Sequence, residues 1–133
     1  MILGIGVDVV HVRRMTHWLS RPGLAARYFH PDELSSAMSR GKTAAYSLAA
    51  RFAAKEAFGK ALGTGLAGVR LADIRVINDR NGKPGIELYG TARERFEAAG
   101  GRTIHLSLTH ESDNAIAMVV MEGQGAEEPA AQG

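Results

Sequence analysis

Arg51-Phe52-Ala53-Ala54-Lys55-Glu56-Ala57-Phe58-Gly59-Lys60-Ala61-Leu62-Gly63 is the stretch on which the rest of this chain is organised. It reads as the second half of one long helix that begins near Lys42-Thr43, with Thr43 at the N-cap. Gly63 stops it, and Gly65 and Gly68 follow as breakers. Some 20 residues rising 1.5 Å each give roughly 30 Å, enough to cross a small domain. Tyr46, Ala50, Ala53, Ala57 and Ala61 recur at helical spacing as one apolar stripe. The stripe is mostly alanine, so a neighbouring element can approach closely. Glu56 and Lys60 stand at i, i+4 on one face, where the plainest reading is a surface ion pair stabilising by a few tenths of a kcal/mol.

Upstream, Ile2 to Val10 is aliphatic and β-branched and reads as a buried strand. Gly4 and Gly6 interrupt it and mark close approach of another backbone or a ligand. Gly4-x-Gly6 is not a dinucleotide fingerprint, because Val9 stands where the third glycine would and no glycine-opened helix follows. Asp8 is an acid within an apolar strand, so it is paired with a base, hydrogen-bonded at the strand end or bound to a metal. A short helix from His11 to Ser20 ends at Arg21-Pro22-Gly23, and a short link follows from Leu24 to His30. Pro31-Asp32-Glu33 opens a helix running to about Arg40. Downstream, Ile74–Ile77 and Gly85–Tyr89 flank Asn81-Gly82, a hairpin signal for two antiparallel strands. Gly90 and Thr91 cap a helix from Ala92 to Ala99. Ile104–Thr109 and Ala115–Met121 form a last hairpin, with His110-Glu111 at the end of the first strand.

The 133 residues suffice for one domain, here 1–122, with the Gly-, Ala- and Glu-rich tail 123–133 expected to be disordered. The absence of cysteine rules out disulfides and thiolate metal sites and fits a reducing compartment. No signal peptide and no membrane-spanning run is present, so the expectation is a cytoplasmic protein with no membrane contact. The net charge of +2 hides an asymmetry: residues 1–60 carry nine Lys/Arg against four Asp/Glu, and residues 61–121 carry seven of each. Arg13, Arg14, Arg21 and Arg27 fall in an acid-free stretch, which is either a solvated helix face or a docking surface for something acidic. Three Tyr, four Phe and one Trp with so small a net charge argue against a nucleic-acid partner.

If the long helix crosses the first strand, Asp8 and Glu56 converge. Two carboxylates with waters make a hard oxygen site suited to Mg²⁺, which favours substrate phosphates as further ligands. Lys60, one turn from Glu56, would reach a phosphate as a point charge. Residue chemistry alone therefore points to Mg²⁺-assisted chemistry on a phosphate or pyrophosphate.

Gly4-Ile5-Gly6-Val7-Asp8-Val9-Val10 with Arg14, Arg51-Phe52-Ala53-Ala54-Lys55-Glu56-Ala57 with Lys60-Ala61-Leu62-Gly63, Asn81-Gly82-Lys83-Pro84, and Leu106-Ser107-Leu108-Thr109-His110 together resemble the motifs of the holo-acyl-carrier-protein synthases, small bacterial-type 4′-phosphopantetheinyl transferases. The resemblance covers residues 1 to about 122. It implies an α+β fold, a small antiparallel sheet packed on one long central helix and shorter helices. It implies Mg²⁺-dependent transfer of the 4′-phosphopantetheine arm of coenzyme A to a serine of apo-acyl carrier protein, releasing adenosine 3′,5′-bisphosphate. By resemblance Asp8 and Glu56 are metal ligands, and Asp8, Glu56, Lys60 and His110 are the catalytic set. Arg51, Lys60, Gly63, Gly82, Lys83, Pro84, Ser107, Thr109 and His110 line the coenzyme A cleft. Arg13, Arg14 and Arg21 dock the acidic carrier, and the assembly is a homotrimer with clefts between subunits. Glu56 is the first choice of general base, and His110 or Glu111 the second. Glu111 departs from the Thr, Ser or Asp-like residue many relatives carry after the histidine. Other readings are a non-catalytic module binding coenzyme A or an acyl carrier, and a Mg²⁺-dependent phosphohydrolase.

Overall fold

The computed structural model describes residues 1–124. Strand β1 (Ile2–His11) leads into helices α1 (Arg13–Leu19), α2 (Pro22–Ala25) and α3 (Pro31–Met38), then the long helix α4 (Ala44–Leu62). Strands β2 (Ile74–Asn78) and β3 (Pro84–Leu88), helix α5 (Gly90–Ala98), and strands β4 (Gly101–Glu111) and β5 (Asn114–Gly123) follow among the described residues. β1, β5 and β4 form an antiparallel sheet in that order, and β2 and β3 form a separate antiparallel ribbon beside it. The α+β expectation is met. Among the described residues no helix is long and apolar enough to cross a membrane.

α4 ends at Gly63, whose left-handed φ of 82° lets its N–H reach the Lys60 carbonyl at 3.0 Å. Thr43 precedes the helix but does not cap it. Its hydroxyl turns back to the Arg40 carbonyl at 3.2 Å, because the preceding residues Gly41–Thr43 already form a 3₁₀ turn. The expected alanine stripe is also narrower than the buried surface. Ala53, Ala57 and Ala61 face the sheet, but Leu48, Phe52, Ala54 and Phe58 are buried on the remaining sides against the core. A helix covered on most sides keeps too narrow a solvent face, at Glu56 and Lys60, to set a period.

The two glycines of β1 explain how closely sheet and helix approach. A Cβ on Gly4 would stand 1.9 Å from the Ala61 carbonyl oxygen, and one on Gly6 the same distance from that of Ala57. Backbone packs on backbone there, as a glycine at alternate strand positions facing an alanine every fourth helical residue allows.

The β2–β3 hairpin forms as expected but with a longer turn. Asp79 Oδ1 accepts from the N–H groups of Asn81 and Lys83 at 2.8 and 2.9 Å, and Gly82 takes the positive-φ position. The N-terminus of α5 is capped from a distance. Asp73 accepts from the Thr91 N–H at 2.9 Å and from its hydroxyl at 2.7 Å, so Thr91 is capped rather than capping. β5 continues to Gly123, which exchanges hydrogen bonds with Met1. The remainder of the expected disordered tail, 125–133, lies outside the described residues.

Candidate active site

Alternation along β1 turns Gly4, Gly6, Asp8 and Val10 toward α4 and Ile5, Val7 and Val9 away from it. Asp8 therefore reaches the face of α4 that carries Glu56 and Lys60. Lys60 Nζ donates to Asp8 Oδ1 at 3.0 Å and to the Val7 carbonyl at 2.9 Å. The i, i+4 surface pair expected between Glu56 and Lys60 is thus replaced by a pair across two elements, which gives the half-buried strand acid its counter-charge. Burial pushes the Glu56 carboxyl above its ordinary value and the Asp8 carboxylate pushes it further, while Arg14 and Lys60 pull it back.

These groups fit a Mg²⁺ ion. Asp8 lies near enough for its charge to act on Glu56, both side chains offer hard oxygens, and Mg²⁺ needs one or two carboxylates and fills its other positions with water and phosphate. Among the described residues no cluster of three or more His, Cys, Asp or Glu side chains forms.

A second group of expected residues lies elsewhere. His110 lines a cavity of about 220 Å³ with Arg40, Tyr46, Ser47, Leu108 and Thr109. Tyr46 meets the His110 ring edge-on at 6.1 Å and anchors the β4–β5 turn by donating to the Ser112 carbonyl at 2.8 Å. Arg40 also borders a polar cavity of about 390 Å³, lined by Ser36, Arg51, Arg75 and Asn78. Arg51 is buried there. Nη1 donates to Ser47, Nη2 donates to Ser36 Oγ at 3.2 Å, and Nε has no acceptor among the described residues, with Glu33 Oε2 4.0 Å away. Burial draws the guanidinium below its ordinary value against the pull of Glu33, and Arg40 lowers it further. Pro84 pairs with Asn78 at the rim of this cavity, which puts the Gly82–Pro84 turn on the same side of the molecule.

Ser107 falls on the opposite side of the sheet from Asp8. Val7, Met118 and Ser107 are partners in one row across β1, β5 and β4, on the face turned away from α4. Asp8, Ala117 and Leu108 form the next row, on the inner face. Within one chain the sheet therefore stands between Ser107 and the Asp8–Glu56 pair.

Three residues escaped the sequence reading. Lys55 is fully buried and donates to Glu33 Oε1 at 2.6 Å, to the Leu71 carbonyl at 3.0 Å and to the Ile74 carbonyl. Glu33 is also buried and accepts from the N–H groups of His30 and Val76 at 2.9 and 3.1 Å. This pair ties α3, α4 and β2 together and sits directly behind Arg51. The signal for Lys55 was its alanine neighbourhood in Ala53-Ala54-Lys55, and Glu33 passed for a first-turn helix acid. Arg40, which borders both cavities, carried no signal beyond its charge.

Arg14 lies over the Phe52 ring at 5.3 Å and acts on Glu56, so it belongs to the site's electrostatics as well as to the basic helix. Arg13 and Arg21 are exposed.

The model of the 4′-phosphopantetheinyl transferase superfamily matches residues 4–119, and this sets the class. The Treponema denticola holo-[acyl-carrier-protein] synthase is 55% identical over 123 residues, covering 92% of this chain and 100% of that one. The crystal structure of the Neisseria meningitidis holo-[acyl-carrier-protein] synthase superposes with a TM-score of 0.82 at 37% identity, covering 92% of this chain and 99% of that one. The Bacillus anthracis synthase in complex with CoA (3′,5′-ADP) gives 0.77 at 34% identity, covering 93% and 99%. The chain belongs to the holo-[acyl-carrier-protein] synthase family of 4′-phosphopantetheinyl transferases.

Proposed function

We propose that this protein transfers the 4′-phosphopantetheine arm of coenzyme A to a serine hydroxyl of apo-acyl carrier protein, with Mg²⁺, releasing adenosine 3′,5′-bisphosphate. The observation that carries the reading is the meeting of Asp8, Glu56 and Lys60 where β1 crosses α4. The coenzyme A complex of the Bacillus anthracis relative supports the substrate.

Phosphoryl transfer asks a protein for positioning and charge neutralisation more than for covalent chemistry. Asp8 and Glu56 would hold Mg²⁺, which when bound offsets charge on the pyrophosphate. The serine oxygen attacks the phosphorus bearing the pantetheine arm as the bond to the bridging oxygen breaks, and the nucleotide leaves with that oxygen. Glu56, directly or through a water, accepts the serine proton. Lys60 stabilises charge on the departing phosphate. Arg51, at the buried end of the polar cavity with its Nε free of an acceptor, supports an anionic part of coenzyme A lying there, with Gly82, Lys83 and Pro84 at the rim.

The exposed sheet face favours a homotrimer. Ile5, Val7 and Val9 each expose more than half of their surface and Met118 44%, a contiguous apolar patch beside Ser107. Covering it with a second copy brings Ser107 and Thr109 of one chain toward the acids of another, which one chain alone does not do. Arg13 and Arg14 on α1 match an acidic carrier in charge, and Arg21, which lies past the end of that helix at the start of α2 rather than on it, adds to the same basic stretch. The lack of cysteine supports a cytoplasmic setting.

The test is the intact mass of a purified apo-acyl carrier protein after incubation with this protein, coenzyme A and Mg²⁺. The expected result is a gain of one phosphopantetheine arm, lost without metal or with Asp8→Ala. No gain across several carriers, with coenzyme A still bound, would establish the non-catalytic binding module instead. Breakdown of coenzyme A without a carrier would establish the phosphohydrolase.

A further inference from the structure

Lys60 is held on both sides by β1. Its ammonium donates to Asp8 Oδ1 at 3.0 Å and to the Val7 carbonyl at 2.9 Å. The Asp8 side chain is only 19% exposed and that of Lys60 is 55% exposed, so a solvated cation lies on a largely buried carboxylate. The reaction proposed above asks each of these residues for something else. Asp8 must give its oxygen to a divalent cation, and Lys60 must reach a phosphate. While they hold each other, each of these competes with the pair, although the pair engages only Oδ1 of the carboxylate and two of the ammonium's three protons. A divalent cation at carboxylate distance from Asp8 would face an ammonium a few ångströms away, a repulsion that a partly buried site screens weakly.

We infer that Lys60 is the resident counter-ion of Asp8, occupying the carboxylate that a divalent cation takes, and that displacing it frees the ammonium for the substrate's phosphate. The inference rests on the metal assignment in the transferase reading. It makes cation and phosphate binding mutually reinforcing, since each draws away the partner that hinders the other. Lys60 loses one anion and gains another, while Asp8 exchanges a single positive charge for a double one. Among the described residues no ion pair holds Glu56, so competition concentrates at Asp8.

The test is Mn²⁺ binding to the full chain, followed by electron paramagnetic resonance of the free ion, for wild type, Lys60→Met, Lys60→Gln and Arg14→Met. Thermal unfolding checks that each variant is folded. Arg14→Met removes an equal charge that acts on Glu56 but holds no bond to Asp8, and so reports the general field alone. Both Lys60 variants should bind Mn²⁺ at least about 5-fold more tightly than wild type, the lower end of ordinary coupling between sites. Arg14→Met should fall well short of this. Coenzyme A should tighten Mn²⁺ binding more in wild type than in Lys60→Met. Lys60 variants that bind Mn²⁺ no better than Arg14→Met would overturn the counter-ion role while leaving the metal site standing. If no variant binds Mn²⁺, with or without coenzyme A, the metal assignment itself fails.

Discussion

A Cβ on Gly6 would stand 1.9 Å from the carbonyl oxygen of Ala57, so the strand that carries Asp8 and the helix that carries Glu56 touch backbone to backbone. A backbone carbonyl in the middle of a helix cannot step aside. Gly6→Ala should therefore destabilise the fold by about 3 kcal/mol or more, the upper range of overpacking. Urea denaturation measures this directly. A loss below about 1 kcal/mol would show that strand and helix can separate, and the account of how Asp8 is positioned would be wrong.

Glu33 and Lys55 form a buried ion pair at 2.6 Å whose remaining donors and acceptors are backbone groups. Removing one partner leaves a buried charge without compensation, so Glu33→Gln or Lys55→Met should each cost about 3–5 kcal/mol. The double variant should cost clearly less than the sum, giving a coupling of at least about 1 kcal/mol in a double-mutant cycle. Additive losses would mean the two side chains do not act as a pair.

Glu56 carries a pH signature. Its carboxyl binds a proton more tightly in the fold than in the unfolded chain, first through burial and then through Asp8. The stability this confers is complete below the usual carboxylate range and is lost as pH rises through the folded value. The ionised form thus strains the fold at neutral pH. Glu56→Gln, fixed in the neutral state, should melt above wild type at pH 7.5, with the difference closing below about pH 4. Its turnover should fall by roughly 10²–10⁴-fold, as expected for loss of a general base. A Gln variant less stable than wild type at neutral pH would contradict the shift, and near-normal turnover would remove Glu56 from the base role.

Val7 and Met118 meet as strand partners on the outer sheet face, both substantially exposed. Val7→Lys or Met118→Glu should leave the monomer folded yet prevent association, seen as a drop to monomer mass in sedimentation. Turnover should fall on the order of 100-fold, because the groups brought by the second copy are then misplaced. Retained assembly and activity in both variants would move the interface elsewhere.

Arg14 stacks on Phe52 and influences Glu56, so it is a poor probe of carrier docking. Arg13 and Arg21 are exposed and isolate the effect. Arg13→Glu with Arg21→Glu should raise the carrier KM on the order of 10-fold with the coenzyme A KM little changed, and the carrier effect should shrink with added salt. Equal changes in both KM values would place these arginines at the nucleotide end instead.

Much of this was legible from residue order. Glycine at alternate positions of β1 and alanine at every fourth position of α4 are complementary surfaces, and their periods announce the crossing that brings Asp8 to Glu56. Gly63 announces where α4 stops, because a left-handed residue is needed there and glycine adopts it without strain. The alternation in β4 also assigns Ser107 and Leu108 to opposite faces.

The tertiary structure alone decided which charges meet. Lys60 takes Asp8 rather than Glu56, and Lys55 is swallowed with Glu33 although its neighbours in sequence read as ordinary helix formers. The resemblance assigns Ser107 to the coenzyme A cleft and Asp8 to the metal, and it is the sheet that sets them on opposite faces within one chain. Sequence periodicity determines which face a side chain takes on its own element. Which face of the next element it meets depends on crossing angle and register, and the free energy of a charge depends on that meeting, through burial and distance to its counter-charge.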